Sequence, residues 1–564
     1  MRQLSTAIAM LGLLVVVTCG CNRHGSDEGK VTVAVSQHGD IPQRAQFVDV
    51  SARAGLSYHW SIDAKRPLNI LQTIGNGCAF LDFDGDGNLD VLLVGEHVAL
   101  YRGDGHGHFI DVSAPSGLSD LHGHFLGCAV GDYDNDGFPD IYLSGYRTGV
   151  LLHNEHGKRF TDVTVQSGLK PQPWGTSCSF CDADCDGLLD LYVCNYVAFG
   201  QDTVPQLCKS AGILTACSPL YYEPERGVLY HNRGSGRFEE VTNRWGANSV
   251  SGKALGVASA PRTEGAGVQI AIANDEEPGD LLIKQNQQFV NIGQNAGIGY
   301  GPTGHPQGGM GIDWGDYDND GRLELFVATF ESEVKPIYHA CADTMQFEDR
   351  AASLGAADPL LRSVSFGAKW FDFDNDGWLD LIVSNGHISD NVADFNRSQT
   401  YRQPTALLHN EAGSRFTDVS AAGGPDIRRP IVGRGLATGD FDNDGRVDVV
   451  VVDSEGAPLL LHNEMQNTGH WIMLKLEGTG KSNRDAFGAT VTAAVGGKKL
   501  LRFCHSDGSY LSSSDPRVHI GLGTETAADI SIVWPDGHKR SYSKLAADRI
   551  YRIREGDETP HPVQ

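Results

Sequence analysis

Basic residues are scarce in this sequence. Its 564 residues include 45 Lys and Arg against 71 Asp and Glu, a formal net charge of −26 at pH 7. A nucleic-acid binder needs clustered positive charge to displace counterions from phosphates, and no segment is locally basic, so nucleic acid is excluded as a partner. Long apolar runs are missing too: no segment approaches the ~18 uninterrupted apolar residues that suggest a membrane-crossing helix. There is no Gly-x-Ser-x-Gly elbow, no His-Glu-x-x-His and no phosphate-cradling glycine loop, which removes the familiar signs of several enzyme classes. Disorder is excluded as well, because a hydrophobic fraction of 40% with 21% charged residues is enough for a packed core. Glycine is the excess, at 69 residues. That is well above the usual ~7%, without collagen's period, and indicates many tight turns in a β-rich chain.

The N-terminus has a charged start at Arg2, an apolar stretch over 7–17, and then Thr18-Cys19-Gly20-Cys21. Such a stretch is too short to span ~30 Å of hydrocarbon and reads as an export signal over 1–20. Gly20 before Cys21 resembles a bacterial lipobox, which makes Cys21 the expected lipidated residue; Cys19 and ordinary cleavage are the alternatives. Residues 21–44 read as a flexible tether. The expected location is the bacterial outer membrane or cell surface, facing either the medium or the periplasm, with membrane contact through the lipid only.

One nonapeptide, Asp-x-Asp-x-Asp-Gly-x-x-Asp, returns six times, starting at Asp82, Asp132, Asp182, Asp316, Asp372 and Asp440. The gap of 134 residues between the third and fourth starts holds one degenerate copy, 261–269, flanked by matching apolar runs but stripped of every ligand carboxylate. A second repeat, an aromatic followed by an acid or amide, begins at Phe47, Phe109, Phe160, Phe238, Phe289, Phe347 and Phe416. One copy precedes the first Asp motif and none follows Leu461-His462-Asn463. Each unit of about 50 residues offers four short strands, the signature of a propeller blade. We therefore expect an all-β fold: a seven-bladed β-propeller over 45–465, closed by the N-terminal Phe47 strand so that no edge is left open.

Oxygen ligands at loop positions 1, 3, 5 and 9, with Gly at 6 and a backbone carbonyl at 7, suit Ca²⁺. An EF-hand is rejected, because position 12 is Leu93, Leu143, Val193, Val327, Val383 and Val451 where a Glu is required. The expected ligands are Asp82, Asp84, Asp86, Asn88 and Asp90; Asp132, Asp134, Asp136, Phe138 and Asp140; Asp182, Asp184, Asp186, Leu188 and Asp190; Asp316, Asp318, Asp320, Arg322 and Glu324; Asp372, Asp374, Asp376, Trp378 and Asp380; and Asp440, Asp442, Asp444, Arg446 and Asp448. Position 7 contributes its carbonyl. Simple Asx turns are the competing explanation, but four carboxylates in nine residues repel one another unless a cation offsets them. About six structural Ca²⁺ ions are expected.

These loops and the Phe-x-Asp-Val strands resemble the FG-GAP/VCBS repeats of integrin α-subunit propellers. The C-terminal run with His470-Trp471, 482–489, His519-Ile520-Gly521-Leu522-Gly523 and Trp534-Pro535-Asp536-Gly537 resembles the ASPIC/UnbV domain. The combination is similar to the family of cartilage acidic protein and its bacterial relatives. That resemblance implies calcium-dependent surface recognition, and the fourth blade departs from its pattern. Residues 466–556 read as a separate small β domain and 557–564 as a tail. Asn483-Arg484-Asp485 reads as a ligand site or, more simply, as a structural turn.

Cys78, Cys128 and Cys178 recur four residues before an Asp motif, as buried filler would. Cys208 and Cys217, in a long insertion of the third blade, are expected to form a disulfide in an exported protein. Cys178, Cys181, Cys185 and Cys194 mimic a soft-metal cluster, but strand alternation separates the first two and the third lies in a loop. His122, His124 and His305 precede inner strands, while Asn195, Asp275 and His387 follow second strands. These loops share the face opposite the Asp loops, and His124, His305 and His387 are the candidate ligand face there, with unrelated solvated residues as the alternative. Two functions remain: a calcium-binding surface module recognising an extracellular carbohydrate or protein, and an extracellular carbohydrate-active enzyme of lyase or dehydratase type built on the propeller.

Overall fold

Short apolar strands separated by glycine turns fold residues 47–463 into seven four-stranded antiparallel sheets. A computed structural model of the chain describes residues 47–563 apart from 263–266 and 343; the export signal, Cys21 and the tether lie outside them. The innermost strands are Cys78–Leu81, His124–Gly131, Gly175–Cys181, Ala254–Pro261, Ile312–Gly315, Ser365–Phe371 and Gly433–Gly439. Each touches the next, and the last touches the first, so the sheets close into a propeller ring. The seventh sheet takes its outer strand from Phe47–Asp49, which pairs with Leu459–Asn463 and places Phe47 opposite Asn463. The Phe47 ring is fully buried against Phe371 and Phe373, so the closing strand is anchored by packing as well as by its ladder.

Neighbouring sheets are stapled by one recurring side chain at the end of the third strand. Asn154, Asn232, Asn410 and Asn463 each donate through Nδ2 to the position-2 carbonyl of the preceding Asp loop: Phe83, Tyr133, Tyr317 and Phe373, all at 2.8 Å. In the fourth sheet Lys284 Nζ does the same to Ala183 O at 3.2 Å. The fifth sheet has Ala340 at this place, and the sheet before it has no Asp loop to grip. Asn410 is fully buried and also bonds Leu379 O and the Gly413 N–H. Asn410→Ala orphans these groups, and we expect a loss of about 2–4 kcal/mol in denaturant unfolding.

Residues 470–563 form two further four-stranded sheets. One contains His470–Glu477, Val518–Gly523, Arg549–Arg554 and His561–Val563; the other contains Thr490–Val495, Lys498–Phe503, Ala527–Val533 and Lys539–Ala546. The expected tail at 557–564 is thus partly a strand, since His561–Val563 pairs with Arg549–Arg554. The described residues make one compact unit rather than a ring with an independent appendage.

The reason is the segment 504–517, which leaves the second of these sheets and enters the central channel. Its backbone and serine hydroxyls bond the inner strands. Ser513 N–H donates to Cys78 O at 3.0 Å and Phe80 N–H to Ser513 O at 3.1 Å in the first sheet. Cys128 N–H donates to Leu511 O in the second, and Leu511 N–H to Ser177 Oγ in the third. Ser259 in the fourth donates to Asp507, Ile312 and Ser509 exchange a pair of bonds in the fifth, Lys369 of the sixth donates to Asp507 O, and Asp515 N–H reaches Thr438 O of the seventh. Inner strands present free backbone groups to the channel, and buried groups of that kind need partners. The segment reaches all seven sheets, meeting backbone groups in the first, second, fourth, fifth and seventh, and the Ser177 hydroxyl and Lys369 ammonium in the third and sixth.

Candidate metal centres

Each Asp loop leaves its inner strand and returns in the second strand, so its four carboxylates are gathered over one hairpin. Position 1 accepts the N–H of the position-6 glycine, as in Asp132 Oδ2 to Gly137 at 2.7 Å and Asp440 Oδ2 to Gly445 at 2.8 Å. Position 5 accepts the position-7 N–H, for example Asp376 Oδ1 from Trp378 at 2.8 Å. Position 9 is fully buried in every copy and accepts the position-2 N–H, as Asp90 does from Phe83 at 2.8 Å. These bonds shape the loop but leave one oxygen over. The position-3 Oδ1 of Asp84, Asp134, Asp184, Asp318 and Asp442 is buried with no hydrogen-bond partner.

The carboxylates are desolvated without enough compensating charge. Burial is the first cause of every one of these shifts: it pushes Asp90 up to about 8, Asp132 to about 9, and Asp140, Asp182, Asp316 and Asp440 each to about 7. Five of the six loops bury an orphan carboxylate oxygen, and the remaining one gathers the same four carboxylates, which fits a hard cation at each loop. In the fourth sheet the sequence between Ala254–Pro261 and Val268–Asn274 carries no Asp-x-Asp-x-Asp-Gly motif.

Residues 82–143, 132–193 and 372–451 match the family model for FG-GAP-like repeats, and residues 478–560 match that for ASPIC and UnbV. The chain carries FG-GAP-like repeats followed by an ASPIC and UnbV domain. Among curated proteins it is similar to cartilage acidic protein 1 of Mus musculus, 24% identical over 406 residues that make up 70% of this chain and 56% of that one. The Homo sapiens protein of the same name is 24% identical over 327 residues, 56% of this chain and 45% of that one. The chain thus spans about half the length of the curated relatives it matches. Similar solved structures include an Agrocybe aegerita lectin that recognises non-reducing terminal N-acetylglucosamine, with TM-score 0.39 and 12% identity, covering 69% of this chain and 95% of that chain. A Bacillus licheniformis rhamnogalacturonan lyase has TM-score 0.34 and 12% identity, covering 73% of this chain and 76% of that chain.

The FG-GAP loops are linked around the ring by position 4. Asn135, Asn319 and Asn375 hold positive φ, and each donates to the position-6 glycine carbonyl of the next loop, Gly187, Gly377 and Gly445, at 3.0, 3.0 and 3.1 Å. In the third loop this position is Cys185, and the sheet that follows has no loop to receive a bond. The ASPIC/UnbV domain sits on the same face. Lys475 Nζ lies 3.0 Å from Asp82, Asp132 N–H donates to Asp485 at 2.6 Å, and Arg517 donates to Asn443 Oδ1 and Asp440 O, each at 2.6 Å. The Asn483-Arg484-Asp485 group is therefore a docking turn: Asn483 and Asp485 are bonded to protein, and Arg484 N–H meets Asn135 at 2.7 Å.

One set of residues at the loops escaped the spacing argument. The third strand brings His153, His231, His339, His409 and His462 against the position-3, 5 and 9 carboxylates, and in the first sheet Arg102 takes that place. The signal was a His that recurs just before the stapling Asn in four sheets and before Ala340 in the fifth, at distances from the Asp loop that vary with loop length.

The expected ligand face is rearranged. His387 is 2% exposed, packs on Phe330 and accepts the Ser389 N–H, so it cannot reach a ligand in solution. His124 is exposed at the start of its strand beside Tyr146, and His305 is exposed in a turn. No hydrogen bond or ion pair among the described residues joins the three. Asn195 is buried against Gln172, and Asp275 accepts the Tyr196 hydroxyl. That mouth is filled by an apolar cluster containing Ile70, Ile74, Trp174, Tyr222, Tyr510 and Leu511, crossed by Arg434, which donates to Thr73, Gly386 and His387 carbonyls. Cys178, Cys181 and Cys194 are separate buried thiols and Cys185 is exposed, while Cys208 and Cys217 are joined as a disulfide. Among the described residues no helix is long and apolar enough to cross a membrane.

Proposed function

We propose that this chain is an exported, calcium-binding propeller that acts as a recognition module for an extracellular carbohydrate or protein, held at the bacterial surface through a lipid on Cys21. One observation carries the recognition reading. The insertion of the third sheet, over 198–226, lies on the face away from the metal loops, is bridged by Cys208–Cys217, and exposes Val204, Leu214, Leu220 and Tyr221 by 87%, 47%, 64% and 62%. Large apolar side chains kept in water on a pinned loop are what a binding surface needs and what folding alone disfavours. The enzyme reading requires titratable groups open to a substrate at the channel. Asp313, Lys369 and Asp507 do converge there, but they are buried and bonded to one another and to the inserted segment.

The test is a glycan and secreted-protein array probed with the full chain in Ca²⁺ and in chelator. We expect a specific ligand that is lost in a Leu220→Ala/Tyr221→Ala variant of unchanged melting temperature. A ligand indifferent to both changes would refute the assignment of this surface, and turnover of a polysaccharide would restore the enzyme reading. Cys21→Ser should move the protein from the membrane to the soluble fraction.

A further inference from the structure

The fifth loop, that of the fifth sheet starting at Asp316, differs from the other five at position 9, and two third-strand residues bear on that difference. Its position 9 is Glu324 in place of Asp, its third strand has Ala340 in place of the stapling Asn, and its His339 is the most enclosed of the loop histidines. In the sheets with Asp, the second carboxylate oxygen of position 9 accepts a third-strand N–H: Asp90 from Gly103, Asp140 from Asn154, Asp190 from Asn232, Asp380 from Asn410 and Asp448 from Asn463. Glu324 uses only Oε2, accepting from Tyr317 N–H at 3.3 Å. Its Oε1 is left without a partner although the residue is fully buried. His339 is 4% exposed, and its Nδ1 is equally unpartnered, 3.3 Å from Asp318 Oδ2 and 3.5 Å from Glu324 Oε1. Asp318 Oδ1 is the third orphan. Asp318, Asp320, Glu324 and His339 each offer one ligand atom within 4.8 Å of all the others.

Separations of 3.3 and 3.5 Å are those of neighbouring donors around one ion bound at about 2.0–2.1 Å in a tetrahedral shell. Ca²⁺ takes six to eight oxygens, whereas imidazole nitrogen beside carboxylates suits Zn²⁺ and its first-row neighbours. We propose that the fifth loop is a mixed imidazole–carboxylate site that takes a first-row transition cation of the Zn²⁺ class, with His339 Nδ1, Glu324 Oε1 and Asp318 as ligands. This rests on the reading of the Asp loops as cation sites and departs from it in the identity of one ion. His409 is the internal contrast: its Nδ1 lies 3.1 Å from Asp380 Oδ1, an oxygen that already accepts the Asn410 N–H, and Asp380 has no freed oxygen to offer.

The experiment uses the full chain saturated with Ca²⁺ and titrated with Zn²⁺ by calorimetry, and with Co²⁺ followed by visible absorption. We expect one equivalent of Zn²⁺ to bind in excess Ca²⁺, and Co²⁺ to give the intense bands of a low-coordinate, nitrogen-bearing site. His339→Asn should weaken that equivalent by more than the ~10–100-fold typical of an outer-shell change, and Glu324→Asp should weaken it while keeping a calcium-type loop; His409→Asn should leave it unchanged. Absence of Zn²⁺ binding in excess Ca²⁺, or an equivalent equally lost in His409→Asn, would overturn the proposal. The melting response to Ca²⁺ is read on the same samples: a missing calcium response with a His339-dependent Zn²⁺ equivalent removes the calcium reading and keeps this one, and the reverse pattern does the opposite.

Discussion

Stripping divalent cations with excess chelator should lower the melting temperature of the full chain by about 15 °C at pH 8. Six sites, each contributing ~2.7 kcal/mol at a hundredfold excess over Kd, amount to roughly 16 kcal/mol. With an unfolding entropy of ~2.1 cal/mol/K per residue over about 500 cooperative residues, that is a shift of this size. The effect depends on pH with a definite sign. In chelator, burial raises Asp90 to about 8 and Asp140, Asp182, Asp316 and Asp440 to about 7; an unfolded Asp titrates near ~3.9. The folded, metal-free chain therefore holds more protons than the unfolded one, and its stability falls as pH rises from about 4 to about 8. Bound cations take the place of those protons. The gap between loaded and stripped protein should widen from pH 5 to pH 8 in scanning calorimetry. An unchanged melt, or a gap that widens toward acid, would count against structural ions at these loops.

The second large effect is expected from the segment that fills the channel. Asp507 is 4% exposed and accepts from Ser179 Oγ, Ser259 N–H and Ser259 Oγ through one oxygen and bonds His505 Nδ1 through the other. Asp507→Ala leaves those donors buried and unpaired, and a loss of about 3–5 kcal/mol is expected, as for breaking a buried charged network. Gly77→Ala attacks the same contact from the ring, since a Cβ there would stand 1.8 Å from Leu511 O and 2.5 Å from Leu511 C. The neighbouring atom is backbone, so the segment must move as a whole. Both variants should open residues 504–517 to limited proteolysis at temperatures where the native chain resists it, with melting lowered in parallel. Full protection of that segment in both variants would show that the channel contacts do not hold it.

The Asp loops also connect the ring to the plug. Lys475, Asp485 and Arg517 of the ASPIC/UnbV domain bond the loops of the first, second and seventh sheets, and the same domain sends 504–517 into the channel. Cation loss loosens the platform on which the plug-bearing domain stands, so chelator should also expose 504–517 to protease before the ring itself melts.

Much of this was legible in the residues because it is periodic. Six Asp-Gly loops, the out-of-phase Phe strands and the missing fourth loop each follow from local spacing, and the closing strand follows from counting one extra Phe copy at the N-terminus. The loss at the fourth sheet was legible as a gap, but its consequences were not. Cys185 and Ala340, at the two flanks of that gap, stand where other copies have an Asn that reaches across to a neighbouring loop. Those bonds run between sheets, and a repeat read along one unit contains only half of each. The histidines were missed for a different reason: each meets the Asp loop of its own sheet, but at a sequence distance that varies with the intervening loops.

The serine-rich stretch 504–517 marks the limit most clearly. Ser506, Ser509, Ser512, Ser513 and Ser514, with Gly508 and Pro516, have the composition of a solvated turn, yet all five serines are buried. Hydrophobic patterning locates what packs against apolar surface; it is blind to a segment whose partners are backbone and polar side-chain groups of seven strands brought together only when the ring closes. Likewise His387, placed correctly at the end of a second strand, is removed from solvent by chain from distant parts of the sequence. The sequence by itself determined the repeat, the ring, the Asp loops and the disulfide-bearing insertion, because each depends on residues close together in the chain. The tertiary structure alone decided that the channel is filled, that the C-terminal domain is locked to the face of the Asp loops, and that Glu324 keeps an unpaired oxygen, because each of these depends on which groups lack a partner after the sheets have met.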